Sequence, residues 1–167
     1  MLNFLFGGLT AQPTQGTALF DAATREARSP HWYRDGKVPD TLEGRFALLA
    51  TVIALVMARL EALGEGGGRL SVALTERFVE VMESEHRELG IGDPTLGKTV
   101  RKLVAALSRR VDIWRAALAG ERDWSEAARD SLPGESGAPG YRGESLRALA
   151  DRLAASSLEQ LAQGEIA

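Results

Sequence analysis

The sequence contains no cysteine, and its 167 residues include only two histidines, His31 and His86. A chain without thiols forms no disulfide, no thiolate metal site and no cysteine nucleophile, which also favours a reducing compartment. The two histidines are far apart and neither belongs to an HExxH motif, so their spacing offers no zinc site. We therefore predict that the chain binds no metal.

Positive charge is not in excess either, because 20 Lys and Arg are outweighed by 23 Asp and Glu, giving a net charge of -3. This balance argues against a DNA-binding protein, so any basic site must be local. No glycine-rich turn follows a strand pattern, and the paired carboxylates occur on the polar sides of predicted helices, which leaves no nucleotide or catalytic motif. We predict a non-enzymatic protein without a cofactor.

The sequence also lacks an apolar run long enough to cross a membrane. Its most apolar stretch, residues 46–58, would form a helix about 20 Å long, whereas a bilayer core is about 30 Å thick. Arg45 and Arg59 flank this stretch directly. The apolar start of the chain has no Lys or Arg before it, unlike a secretory signal. These features predict a buried core helix and a cytoplasmic protein.

Helical periodicity dominates the sequence, and no segment alternates as a half-buried strand would. The pattern predicts an all-α fold: a single-domain bundle of about five to six helices around a central apolar helix at about 41–62. The predicted helices cover residues 17–28, 41–62, 70–89, 94–118, about 123–132, and 144–161.

Residues 1–16 differ from the rest because they combine apolar side chains with glycine and proline. This composition predicts a flexible apolar arm ahead of a single helical domain at 17–167. The aromatic residues Phe4 and Phe6 would either pack on the domain or contact a partner or a membrane surface.

Capping signals mark the starts of two long helices. Asp40 and Glu43 form a capping-box pattern at the start of the central helix. Asp93 followed by Pro94 predicts the N-cap and the first residue of the fourth helix. Both motifs therefore have a structural interpretation.

Breaks between helices are also marked. Residues 64–68 are rich in glycine and predict a flexible turn, and residues 133–143, PGESGAPGYRG, predict a surface loop. Asp123 and Glu126 repeat the capping-box pattern and predict a short helix that ends near Leu132, just before the second break.

Three ring-bearing residues, His31, Trp32 and Tyr33, precede the central helix. One interpretation is that they close the base of this helix as part of the core. The other is that they form a partly exposed anchor for a partner, a role for which Trp and Tyr are well suited.

A group of like charges lies along one side of the fourth predicted helix, where residues three and four apart are neighbours. It is either a solvated surface or an electrostatic dock for ribosomal RNA, acidic lipid head groups or an acidic partner. Arg110 and Arg115 would extend the positive region. We call the group the basic face; its members are Lys98, Arg101, Lys102 and Arg109.

Two runs of residues resemble the ubiquinol–cytochrome c chaperone family. The first has the form Y-x4-VPDT-x2-GRF and starts at Tyr33, and the second has the form LGIGD-x3-GK and starts at Leu89. The resemblance is strongest over residues 17–118. The motif residues singled out are Val38, Pro39, Asp40, Thr41, Gly44, Arg45, Phe46, Gly90, Gly92, Asp93, Gly97 and Lys98.

The resemblance implies an all-helical, non-enzymatic assembly factor for respiratory complex III that binds newly made cytochrome b. The length of the chain and the lack of a presequence suggest a bacterial-type member. Docking to the ribosome or to an anionic inner-membrane surface would then use the basic face. Two alternatives remain open: a helical haem- or quinone-binding protein with His31 or His86 as axial ligand, and an oligomerisation scaffold.

Overall fold

The computed structural model describes the backbone of residues 2–135, 137 and 140–167, and the side chains of these residues from Gln15 onward except that of Asp93. The all-α prediction is confirmed, and no strand occurs in these ranges. Two short elements add to the six predicted helices. The described helices are α1 (Leu2–Ala27), α2 (Pro30–Arg34), α3 (Leu42–Glu61), α4 (Gly64–Glu88), α5 (Asp93–Leu118), α6 (Trp124–Ser131), α7 (Tyr141–Ala155) and α8 (Leu158–Ala162).

Helix α3 lies in the middle of the bundle and packs against α1, α4, α5, α6 and α7. Twelve of its 20 residues are buried. Its apolar residues point in every direction around the axis, so they need cover on every side. The other long helices supply that cover, and their polar faces remain in water.

Helix α1 begins at Leu2, so helical backbone extends well before the predicted start at residue 17. Gly16 contacts α4 closely, because a Cβ there would lie 2.5 Å from the carbonyl oxygen of Ala73. The side chains of residues 2–14 lie outside the described residues, and so do the predicted contacts of Phe4 and Phe6. The division into an arm at 1–16 and a domain at 17–167 stays a prediction.

Helices α3, α4 and α5 follow one another through short connections, so α4 runs antiparallel to both neighbours. Phe46 of α3 meets Phe78 of α4 with 6.2 Å between ring centroids. The predicted turn at 64–68 is wrong, because α4 already begins at Gly64. Gly67 packs against the carbonyl of Leu60, which leaves no room for a side chain and explains a glycine inside a helix.

The C-terminal part contains three shorter helices. Asp123 caps α6 as predicted, accepting hydrogen bonds from the backbone amides of Ser125 and Glu126 at 2.9 and 3.1 Å. The predicted last helix is interrupted after Ala155, where Ser157 and Gln160 form a capping box and start α8. The local hydrogen bonds of Ser157 compete with continuation of α7.

None of the helices in the described part of the chain combines enough length and hydropathy to span a membrane.

Candidate functional site

Trp32 of α2 is completely buried, with 0% of its surface exposed. Its indole Nε1 donates a hydrogen bond to the carbonyl of Glu26 at 3.1 Å. The His31 ring lies against it, with 4.5 Å between centroids. Trp32 therefore closes the core beside α3, and in this conformation it offers no surface for the anchor role.

His31 and Tyr33 are half-buried and remain partly accessible. The Tyr33 hydroxyl donates to the carbonyl of Ala27 at 2.8 Å, and burial raises the pKa of Tyr33. His31 Nδ1 lies 3.1 Å from the hydroxyl of Tyr141 on α7. A partner contact by these two residues stays a prediction, and it would use side chains that already hold α1 and α7 in place.

The start of α3 is capped by Thr41, whose Oγ1 accepts from the amide of Gly44 at 3.1 Å. The prediction that Asp40 is the cap is therefore wrong by one residue. Asp40 accepts instead from Nε of Arg45 at 2.6 Å, and this hydrogen bond lowers the pKa of the Asp40 carboxyl. Both partners are exposed, so the pair contributes little to stability.

The remaining residues of the first motif also serve packing. Val38 is 2% exposed. Gly44 lies against the carbonyl of Pro39, where a Cβ would clash. Phe46 packs on the core and contacts the ring of Phe78 on α4. The VPDT and GRF runs therefore encode one tight entry into the central helix.

Arg142 is a site residue that the sequence analysis missed. It is only 4% exposed although it carries a guanidinium, and burial lowers its pKa. Its Nε donates to the carbonyl of Gly36 at 2.5 Å, and its Nη2 donates to those of Lys37 and Glu135 at 2.8 and 2.9 Å. Arg142 thus ties α7 to the segment that leads into α3.

The segment tied by Arg142 has an unusual backbone. Lys37 has φ of 52°, the one positive value among described residues other than glycine. Gly137 comes close to the carbonyl of Asp35, and Gly134 to the ring of Pro39. The glycines of the predicted surface loop therefore permit its close approach to the first motif.

The second motif forms the connection between α4 and α5. Gly90 has φ of 82°, which favours glycine, and the amide of Ile91 donates to the carbonyl of His86 at 3.2 Å. The N-cap of α5 is Gly92 and the helix starts at Asp93, so the predicted cap is shifted by one residue. The predicted bond from the Asp93 side chain lies outside the described residues.

The two motifs lie at the same end of the bundle. Arg115 of α5 binds Glu61 at the end of α3, with its Nη2 2.7 Å from Oε1, so the ends of these parallel helices are level. Counting back along both helices at about 1.5 Å per residue brings Lys98 level with Gly44. Exposed Leu42 and Leu89, 65% and 61% accessible, lie at this end as well.

The basic face is exposed along α5 for about 16 Å from its first to its last residue. Its four cations make neither an ion pair nor a hydrogen bond with any side chain in the described part of the chain. The exposure agrees with both sequence interpretations. The free charges leave the surface available for an anionic partner.

The expected extension of the basic face by Arg110 and Arg115 is wrong. Arg110 is half-buried and donates to the carbonyls of Ala106 and Ser131 at 3.1 and 2.9 Å, and burial lowers its pKa. Arg115 binds both Glu61 and Asp112 at 2.7 Å. Among the described residues of α5, the exposed cations without an acidic partner therefore end at Arg109.

The alternative of a haem or quinone protein gains no support from the positions of the histidines. His86 Nδ1 lies 2.7 Å from the carbonyl of Met82, and His31 is engaged by Tyr141. No group of three or more His, Asp or Glu in the described ranges is arranged to hold a metal ion. Two open grooves, of about 540 and 570 Å³, lie elsewhere on the surface.

Comparisons with known proteins identify a family that matches this sequence and a solved structure that has a similar fold. Residues 34–129 match the model of a family described as ubiquinol-cytochrome C chaperone. The fold is similar to the crystal structure of the Cbp3 homolog from Brucella abortus, with a TM-score of 0.82 and 27% identity over 100% of this chain and 96% of the other. No curated protein gave a match.

Proposed function

Because the chain belongs to the ubiquinol-cytochrome C chaperone family, we propose that its client is newly made cytochrome b. The protein is an assembly chaperone for respiratory complex III. The family match carries the proposal, since residues 34–129 include most of the first motif, the whole second motif and the basic face. A helical chaperone needs a surface that binds its client and has no need of catalytic groups.

We further propose that the basic face brings the chaperone to the place where the client appears. Four unpaired cations along one helix attract a polyanionic surface even though the chain has a net charge of -3. The ribosome and an anionic membrane surface both provide such a surface. The protein would then be cytoplasmic and peripheral at the inner membrane.

The client surface would lie near His31 and Tyr33, which remain partly accessible while Trp32 is buried. Exposed Leu42, which lies within the first motif, adds an apolar side chain. An apolar client gains free energy by covering such side chains. This part of the proposal extends the prediction for the His31–Tyr33 segment.

The experiment is to purify tagged protein from respiring cells and to identify the proteins that accompany it. We expect cytochrome b to be the main species, and its absence would contradict the proposed client. Deleting the gene should lower the cytochrome b level, and restoring the wild-type chain should recover it. An unchanged level would instead favour a passive scaffold.

A photo-reactive side chain at residue 31 tests the position of the client surface. We expect a crosslink to cytochrome b from residue 31 and none from residue 129 on α6, where Arg129 is exposed. Equal crosslinking from both positions would show that the His31–Tyr33 segment is not the contact. The identity of the client would be unaffected by that result.

A further inference from the structure

The groove of about 540 Å³ lies between the end of α5, the start of α6 and one side of α7. Leu118 is 45% exposed there, and half-buried Trp124 stands on the fully buried Trp114 with 5.5 Å between ring centroids. Ala150 and Ala154 of α7 complete an apolar floor. The lining also includes Glu121, Arg122 and Asp123, so this floor is a small apolar area within a mainly polar groove. A protein–protein contact commonly has an apolar centre and a polar rim.

Two charges of opposite sign stand on the α7 wall of this groove. Arg147 and Asp151 are one helical turn apart and both are exposed. Neither forms an ion pair with the other or with any side chain in the part of the chain that the structure describes. The order Arg then Asp is the less favourable one within a helix, which leaves both groups available.

Two other cations, Arg122 in the groove lining and Arg152 on α7, already have acidic partners. Arg122 binds Asp130 on α6, and Arg152 donates from Nη2 to Glu26 of α1 at 2.7 Å. Arg147 and Asp151 are therefore two opposite charges beside the apolar floor, and neither has an ion-pair partner in the described part of the chain. Small exposed residues, Ala148 and Ala155, lie on the same helix and permit another helix to approach closely.

We propose that a second copy of this chain docks on this groove, with the two α7 helices antiparallel about a two-fold axis. In that arrangement Arg147 of each copy faces Asp151 of the other, because a two-fold contact repeats each pair reciprocally. The same axis brings Leu118 and Trp124 of both copies to the contact. An apolar client segment would match the floor but would leave both charges without partners.

Sedimentation velocity over a range of concentrations tests the proposal. The wild-type mass should rise from 17.9 kDa toward twice that value as concentration increases. Arg147→Glu alone, or Asp151→Arg alone, should weaken self-association about tenfold or more, because like charges then face each other. The control Arg129→Glu changes the same charge on α6 and should leave association unchanged.

Mixing the two single variants gives the decisive measurement. Arg147→Glu and Asp151→Arg should form a mixed dimer, since both reciprocal pairs are then restored. The double variant should likewise dimerise with itself. A wild-type chain that stays at 17.9 kDa would overturn the proposal. A dimer whose self-association is the same in the wild type and in every variant would also overturn it, because that dimer would use another face.

Discussion

The Arg142 tie and the basic face use the same kind of charge in opposite ways. Arg142 is 4% exposed and its guanidinium is bound by backbone carbonyls. The cations of the basic face are exposed and unpaired in the described part of the chain. A buried charge bound in this way fixes the backbone around it, whereas a free one acts at a distance on a partner. The first motif therefore preserves the fold, and the docking that we propose would use the side chains of the basic face on α5.

The largest expected effect tests the buried side of this comparison. Arg142→Met removes the donors to Gly36, Lys37 and Glu135, leaving three carbonyls without their partner. We expect a loss of about 3 kcal/mol in the free energy of unfolding, measured by urea titration. Arg129→Met, a change of the same kind at an exposed position on α6, should cost less than about 0.5 kcal/mol. Equal losses in the two variants would mean that the hydrogen bonds of Arg142 do not hold α7 to the segment before α3.

A pair of motif glycines sharpens the same comparison. Gly44→Ala should destabilise the protein by about 2 kcal/mol, because the new Cβ clashes with the carbonyl of Pro39 at the entry to α3. Gly97→Ala on α5 meets only the end of the Arg101 side chain, 3.9 Å away, and should stabilise the helix by up to about 1 kcal/mol. Thermal unfolding of both variants measures the difference. If both variants lost or both gained thermal stability, the glycines of the two motifs would not differ in the space around them.

Much of this fold could be predicted from the sequence, because helix periodicity and capping residues act locally. The start of α6 at Asp123 is correct, since its side chain accepts from the amides two and three residues further on. At α3 two possible caps, Asp40 and Thr41, are adjacent. The side chain of Arg45 binds the Asp40 carboxylate, and Thr41 is the residue that caps the helix.

Apart from small shifts of helix ends, the errors that bear on the candidate site concern contacts between residues distant in sequence. Arg142 binds carbonyls more than a hundred residues earlier, and the sequence around it looks like an ordinary glycine-rich loop. Arg115 has one acidic partner on its own helix, Asp112, but the second, Glu61, comes from α3. Periodicity predicts which side of a helix a charge occupies. It does not predict which charge on another helix will reach it.

The exposed side of the comparison is tested by binding. Arg101→Glu with Lys102→Glu should change the free energy of unfolding by less than about 0.5 kcal/mol, because both side chains are in water. At low salt, where such contacts are least screened, much less of this variant than of the wild type should sediment with ribosomes or with vesicles containing anionic lipid. Arg28→Glu with Arg129→Glu is the control of equal charge change. Unchanged sedimentation of the α5 variant would remove the docking proposal.

The smallest effect concerns the point where the basic face ends. The hydrogen bond from Arg115 lowers the pKa of Glu61 below its usual value of 4.5. The pair therefore stabilises the fold above that pH, and its contribution is lost as the pH falls through the lowered pKa. Both partners are partly exposed, so Glu61→Gln should cost about 0.5 kcal/mol or less at pH 7 and nothing in acid. Glu76→Gln, on the exposed side of α4, is the control of equal charge change, and the loss in Glu61→Gln is measured against it at each pH. Because Glu61→Gln also leaves Arg115 with Asp112 alone, it should lengthen the free positive surface and slightly strengthen docking at low salt. Unchanged or weaker docking would mean that the pair with Glu61 is not what keeps Arg115 out of the basic face.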